Sequence, residues 1–177
     1  MKPGTWQALA LRQFQRAGRE LATVLDGLDA QAVNIRSSEL PNSIGWTAWH
    51  LTRGIDRNLS EAAGWPQLWT TDDWARQFGR TSDPSDTGFG HREEDVIAFQ
   101  SPSPNILLAY HTAVQELAEH YLSSAPDTDG LRRVESPTLG NVHTVEERLA
   151  ALLADTFAHM GQLTVLRSLN DKGPRAS

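Results

Sequence analysis

The chain has no cysteine. Disulfides, thiolate metal ligands and a cysteine nucleophile are therefore excluded, and any thiol chemistry must use a thiol carried in by a substrate or cosubstrate. The absence also fits a cytoplasmic protein. Basic residues are in deficit, with 16 Lys plus Arg against 22 Asp plus Glu and a formal charge of −6. That balance argues against a nucleic-acid partner, which would need a basic face to neutralise phosphates. A signal-like or membrane-spanning run is not evident either. Residues 1–5 lead directly into an amphipathic segment carrying Arg12, Arg16, Arg19 and Glu20, so the expectation is a soluble, cytoplasmic protein without membrane association. No repeat, low-complexity tract or linker divides the 177 residues, a length that suits one domain. One domain is expected over residues 1–171, with a frayed polar tail at 172–177.

What the chain does have is helical periodicity in four segments, with no strand-like alternation of comparable length. The expected class is all-α. Residues 5–28 place Leu9, Leu11, Phe14, Leu21, Val24, Leu25 and Leu28 mostly three and four apart, as an ordinary core stripe. A second helix should open at the Asn42 or Ser43 cap and run through Ile44, Ala48, Leu51, Ile55 and Leu59 to Gly64, with His50 near its midpoint. A third starts at Ser103, where a Ser cap precedes Pro104, and continues to about Ser124. The fourth starts at Thr144 with Glu147 three residues on, a capping-box pattern, and runs to about Asn170. Between helices two and three lies a long connection, residues 65–102, with a short helix expected near 72–78. A crossover of that length allows neighbouring helices to run parallel. Residues 125–143 read as a loop.

Chemistry concentrates on the second and fourth helices. On a helical wheel Val145, Leu149, Leu152, Thr156, Leu163 and Arg167 share one face of the fourth helix, with His159 inside that arc and Asp155 on its flank. A carboxylate turned inward costs several kcal/mol unless it is hydrogen-bonded, paired or metal-bound. The i, i+4 spacing sets Asp155 and His159 side by side, as in helix-borne zinc sites. His50 completes a three-ligand set if the two helices are neighbours, leaving coordination positions open as catalytic sites do. Two imidazoles and a carboxylate suit Zn2+, Ni2+, Fe2+ or Mn2+, and ligand type does not choose among them. Arg53, Asp56, Gln162 and Arg167 lie about a turn from these residues as candidate orienters of the ligands, or else as structural ion pairs. His143 and His91 sit in loops that could reach the open face, while His111 and His120 read as solvent-facing or packing residues. Trp46, Trp49, Trp65, Trp69 and Trp74 supply core area or a pocket wall.

The run Asn42-Ser-Ile-Gly-Trp-Thr-Ala-Trp-His50-Leu-Thr-Arg-Gly-Ile-Asp56, with Asp155-Thr-Phe-Ala-His159-Met-Gly-Gln162-Leu-Thr-Val-Leu-Arg167, resembles the DinB-like family of metalloenzymes. The resemblance covers nearly the whole chain. It implies a four-helix bundle of up-down-down-up type with a long crossover between helices two and three. It also implies a divalent metal held by His50, Asp155 and His159. Most relatives carry a second His where this chain has Asp155, and an acid there keeps a ligand while changing its charge and hardness. Relatives include transferases and isomerases that use mycothiol, bacillithiol or glutathione, and they commonly form homodimers. The family name refers to DNA damage induction, to which the acidic charge adds no support for DNA binding. Three functions stay open. One is an enzyme whose cation, most readily Zn2+ or Ni2+, activates a low-molecular-weight thiol or water against a small molecule. The second is a non-catalytic metal-binding protein. The third is a metal-free helical binding or interaction module in which Asp155 pairs with His159.

Overall fold

The computed structural model describes residues 4–36 and 40–171; the tail expected at 172–177 lies outside the described residues. The chain is mostly helical. Four long helices carry it: α1 (Trp6–Leu25), α2 (Ile44–Ala63), α6 (Pro104–Ser124) and α7 (Val145–Asp171). Between them stand the short helices α3 (Leu68–Thr71), α4 (Trp74–Gln77) and α5 (Glu93–Ala98), and the hairpin strands β1 (Arg133–Glu135) and β2 (Val142–Thr144). Each long helix begins where its capping chemistry dictates. Thr5 Oγ1 accepts from Ala8 N, Ser43 Oγ from Trp46 N, and Ser103 Oγ from Ile106 N with Pro104 in the first turn. Thr144 and Glu147 exchange reciprocal bonds of 2.8 and 3.2 Å at the start of α7. Each such cap satisfies otherwise orphaned amides and is worth about 1 kcal/mol.

Ends and faces depart from the periodicity in two places. α1 stops at Leu25 rather than at residue 28, because Gly27 turns left-handed (φ 70°). The exposed carbonyls of Val24 and Asp26 are taken up by Arg167 Nη1 of α7, at 2.8 and 2.7 Å. Leu9, expected in the core stripe, is 61% exposed. The stripe is instead Ala10, Phe14, Ala17, Leu21, Val24 and Leu25, a set in which small alanines let the helices approach closely.

α1 packs against α6 and α7, and α2 against the same two helices. α2 buries 15 of its 20 residues, more than one stripe, because the crossover covers the face that α6 and α7 leave open. By length and composition α7 is apolar enough to cross a membrane, with a mean hydropathy of 1.3, and it alone meets that test among the described helices. Its Leu149, Leu152, Met160, Leu163 and Leu166 are buried, and α7 packs on α1 and α2.

Two charged residues in the middle of α2 tie the crossover down. Arg53 and Asp56, both fully buried, face each other at 3.2 Å. Asp56 also accepts from Ser60 Oγ (3.2 Å), Tyr110 Oη (2.7 Å) and the amides of Leu68 (3.0 Å) and Trp69 (2.9 Å). It therefore caps α3 from another helix, since Gln67 at the α3 N-cap offers no side-chain bond. Burial and the neighbouring Asp56 carboxylate push the Tyr110 hydroxyl pKa well up, so it stays a donor. Arg53 donates to Gln67 Oε1 (2.8 Å) and to the carbonyls of Asp86 (3.0 Å) and Pro84 (3.2 Å), with its guanidinium 4.7 Å from the Trp69 ring centre. A loop cannot bury its backbone unless its carbonyls find donors, and here a side chain of α2 supplies them.

The expected short helix near 72–78 is α4, and α3 and α5 join it in the crossover. Residues 125–143, expected as a loop, contain a 3-10 turn at Asp127–Leu131 and β1, which pairs antiparallel with β2 so that Val134 faces His143. Strands of three residues are too short for alternation to announce them. Asp56→Ala, which strands the Arg53 charge and uncaps α3, should lower stability by about 3–5 kcal/mol. Tyr110→Phe, which removes one donor of several, should cost about 1–2 kcal/mol. Urea unfolding followed by circular dichroism measures both, and an Asp56→Ala loss no larger than that of Tyr110→Phe would refute the anchoring role.

Candidate metal centre

His50 projects from the middle of α2, half-buried, with Trp46 one turn earlier stacked on it at 4.8 Å and 14°. Its Nδ1 lies 2.5 Å from the carbonyl oxygen of Thr87 in the crossover. A carbonyl can only accept, so Nδ1 carries the proton and the Nε2 lone pair is left free, which is how metal-binding imidazoles are oriented. The loop comes this close because residue 88 is glycine. At its left-handed φ of 83°, a Cβ would lie 2.8 Å from His50 Nδ1 and 3.0 Å from the Trp46 ring. Burial lowers the His50 pKa, partly countered by the Thr87 bond, and nearby His159 lowers it further. The ring is neutral at pH 7.

Across from it, α7 presents Asp155 and His159 on successive turns. His159 Nε2 is 3.4 Å from Asp155 Oδ1, while His159 Nδ1 meets Gln162 Oε1 at 2.9 Å. Both imidazoles thus use Nδ1 for an outer bond. The two rings meet edge to face with centres 4.7 Å apart, and one donor atom from each of His50, Asp155 and His159 lies within 4.8 Å of the others. Donors on a tetrahedral cation with bonds of about 2.1 Å are roughly 3.4 Å apart. The Asp155–His159 pair already stands at that spacing, and the His50 donor lies within 4.8 Å of both. The bond from His159 lowers the Asp155 pKa against desolvation, and the Asp155 carboxylate raises that of His159.

The other sequence candidates divide. Gln162 touches His159. The hydrogen bonds of Arg53 and Asp56 run to each other, to Tyr110 and to the crossover, so Arg53 reaches His50 only through the loop that carries Thr87. Arg167 bonds the end of α1 and Asp171. His143 lines the cavity beside His50. His91 instead accepts from Trp46 Nε1 at 3.3 Å and stacks on Trp49. His111, read from the sequence as solvent-facing or packing, is the second of these, buried on α6 3.0 Å from Thr52 Oγ1, with its pKa pushed down to about 4 by desolvation. His120 is exposed and stacks on Trp65. Trp49 and Trp69 are fully buried core residues, and Trp65 and Trp74 pack against that core.

A cavity of about 280 Å³ opens beside the cluster, lined among others by His50, Gly54, Arg57, Leu139, Arg148 and Asp155. The two arginines escaped the reading of the sequence, although Arg57, seven residues after His50, shares its helix face.

Residues 13–163 match the sequence profile of the DinB superfamily. The chain belongs to this superfamily. A conserved protein from Enterococcus faecalis, known from its crystal structure, superimposes with a TM-score of 0.83 at 20% identity, over 95% of this chain and 98% of that one. At that identity the likeness speaks for the shared fold. None of the curated proteins compared with the chain matches it.

The donor set fits a divalent cation. Both Nδ1 atoms are held from behind, Nε2 of His50 is left free, and Nε2 of His159 faces the Asp155 carboxylate at 3.4 Å through a proton that a cation would displace. In metal-free protein the two imidazoles should titrate in split order, His159 above 6.5 and His50 below it. The Asp155–His159 attraction stabilises the fold between the depressed folded pKa of Asp155 and the raised one of His159. It is lost as pH falls through the first or rises through the second. With Asp155 57% exposed the pair is worth well under about 1 kcal/mol. NMR titration of the imidazole Cε1 protons reads the order directly, and Asp155→Asn should bring His159 down. Coincident titrations would contradict this electrostatic account.

Proposed function

We propose that His50, Asp155 and His159 bind a divalent cation, Zn2+ or Ni2+ foremost with Fe2+ or Mn2+ as alternatives. In this proposal the protein is a metal-dependent enzyme that uses a low-molecular-weight thiol or water against a small molecule, in transfer or hydrolysis. The observation that carries the proposal is the pair of outer hydrogen bonds that the imidazoles donate, from His50 Nδ1 to Thr87 O and from His159 Nδ1 to Gln162 Oε1. With Nδ1 so occupied on both rings, the two imidazoles and the carboxylate offer donor atoms within 4.8 Å of one another, His159 once it gives up the proton it shares with Asp155. A structural cation would be closed off by four protein ligands, whereas three donors beside an open cavity leave room for a substrate.

A cation held there lowers the pKa of a bound thiol or water and so supplies a nucleophile near neutral pH. The chain's own residues do the rest. Thr87 and Gln162 fix the ring orientations, Trp46 shields one side of His50 from water, and Asp155 brings negative charge that offsets part of the cation's. His143, on the cavity wall, is the imidazole available to take a proton from the incoming nucleophile.

The same proposal takes the four long helices as a bundle of up-down-down-up sense, supported by the long 65–102 crossover between α2 and α6 and by the pairing of α1 and α2 each with α6 and α7. It takes the assembly as a homodimer, supported by an apolar outer face on α7 in which Ala154, Ala158 and Gly161 are exposed and Val165 is 50% exposed. Light scattering should then give twice 19.6 kDa, and Ala158→Glu should give the single mass.

A specific observation also favours a metal-free module, since 3.4 Å between Asp155 and His159 is what a plain ion pair would give. Metal content decides. Protein purified without an affinity tag should hold one divalent ion per chain, and chelation should lower its melting temperature reversibly. Gln162→Ala should weaken the metal by about 10–100-fold, and His50→Ala should lose it together with any thiol-dependent turnover. Stoichiometric metal retained by His50→Ala, or none in the wild type after metal loading, would overturn the ligand assignment.

A further inference from the structure

We propose that the cavity beside His50 is a subsite for a small-molecule carboxylate, with Arg57 as its anchoring cation and the His50–Asp155–His159 cluster at its far end. As a substrate site it rests on the metal-dependent function proposed above, while the carboxylate subsite itself stands on Arg57. Arg57 follows His50 by two helical turns, a displacement of about 10.5 Å along the axis on the same face. Between them on that face is Gly54. A Cβ there would meet nothing within 4 Å, so the glycine leaves a floor between the two side chains, at a cost of about 1 kcal/mol relative to alanine within a helix.

Arg57 is the buried arginine whose charge is left over. It is 9% exposed, yet Nη1 reaches only Thr87 Oγ1, at 3.4 Å, and Nε has no acceptor. No carboxylate lies within ion-pair distance of it among the described residues. The nearest acid along the helix, Glu61, is already engaged, with Arg148 Nη1 on one oxygen at 2.8 Å and Thr138 Oγ1 on the other at 2.7 Å. Arg53 is saturated by Asp56, Gln67 and two loop carbonyls. Desolvation lowers the Arg57 pKa, the charge of Glu61 counters part of that, and Arg53 and Arg148 as like-charged neighbours lower it further. A desolvated guanidinium without an anion is costly, by several kcal/mol, and this one borders an open cavity rather than packed core.

The walls give the rest of the ligand's character. Leu139, Ala151 and Leu152 also line the space, and Glu147 is 61% exposed with its carboxylate held by the amide of Thr144, so it makes no ion pair with Arg57. The volume, about 280 Å³, is at the small end of ligand sites. A planar guanidinium binds a carboxylate with two parallel hydrogen bonds. The molecule that fits has a carboxylate at one end, a short apolar body and its reactive group at the cluster.

Glutarate is the probe, with inorganic phosphate as the competing anion, each measured by calorimetry on zinc-loaded and on chelator-treated protein. Wild type should bind glutarate in both states, more tightly with zinc. Arg57→Gln should weaken binding at least tenfold in both states, with zinc content unchanged and a melting temperature no lower than wild type, because the residue removed is an unpaired buried charge. Gly54→Leu, which fills the floor between His50 and Arg57 while leaving every donor atom of the cluster in place, should abolish binding and keep the zinc. Arg57-dependent binding in protein that holds no zinc would uphold the subsite while the metal proposal fails. Equal glutarate affinity in wild type and Arg57→Gln would overturn the subsite, as would a large stability loss in Arg57→Gln, which marks a structural arginine. Phosphate bound through Arg57 in preference to glutarate would overturn the carboxylate assignment.

Discussion

A buried ion pair on one helix, Arg53 with Asp56, holds the crossover to α2 and with it the environment of His50. Such a pair is weak evidence for net stability, because two desolvated charges barely recover what hydration gave them. Its worth here is geometric. Asp56 gathers two backbone amides of α3 and the Tyr110 hydroxyl of α6, while Arg53 gathers the carbonyls of Pro84 and Asp86. Every residue between those carbonyls and Gly88 is thereby fixed relative to α2. Thr87, one position after Asp86, then has its carbonyl set on His50 Nδ1.

That chain of contacts explains why a crossover with little regular structure of its own sits beside a chemically demanding group. A histidine on a helix can rotate, and only an outer hydrogen bond fixes which nitrogen faces inward. On α7 the outer bond is local, donated by His159 to Gln162 three residues on, so the helix alone holds it. On α2 it is non-local, and the machinery to keep the loop in place occupies the next two turns. The two halves of the candidate centre are built to one pattern by different means.

The difference decides what the sequence made legible. Local signals are legible: Ser43, Ser103 and the Thr144–Glu147 box start helices as expected, and Gly64 ends α2 in the left-handed conformation. The i, i+4 spacing of Asp155 and His159 and the motif around His50 were enough to choose three residues whose donors the fold brings within 4.8 Å. Beyond reach were contacts whose partners lie far along the chain. Asp56 lies close to His50 along the sequence, but its acceptor capacity goes to Leu68, Trp69 and Tyr110. Arg167 looks like a residue of the last helix's inner face, and it serves the end of α1, more than 140 residues earlier. Leu9 belongs to the apolar set by type and is left outside by helix rotation, which only the partners determine. The absence of an anion around Arg57 was equally invisible, since a missing partner is a property of the whole fold.

Arg53 and Arg57 are identical side chains one turn apart on the same helix, so propensity and hydrophobic patterning treat them alike. The fold separates them completely. Arg53 receives acceptors from five residues and becomes part of the scaffold, whereas Arg57 receives one long contact to a hydroxyl. Packing alone would favour an uncharged residue at position 57, because an apolar replacement for a poorly paired buried charge is commonly neutral or stabilising. Its retention next to Gly54, itself unfavourable in a helix interior, puts two locally disfavoured residues on the one face of α2 that borders the cavity. Local rules are typically broken where function requires it, and on this helix the breaks coincide with the open space rather than with the core.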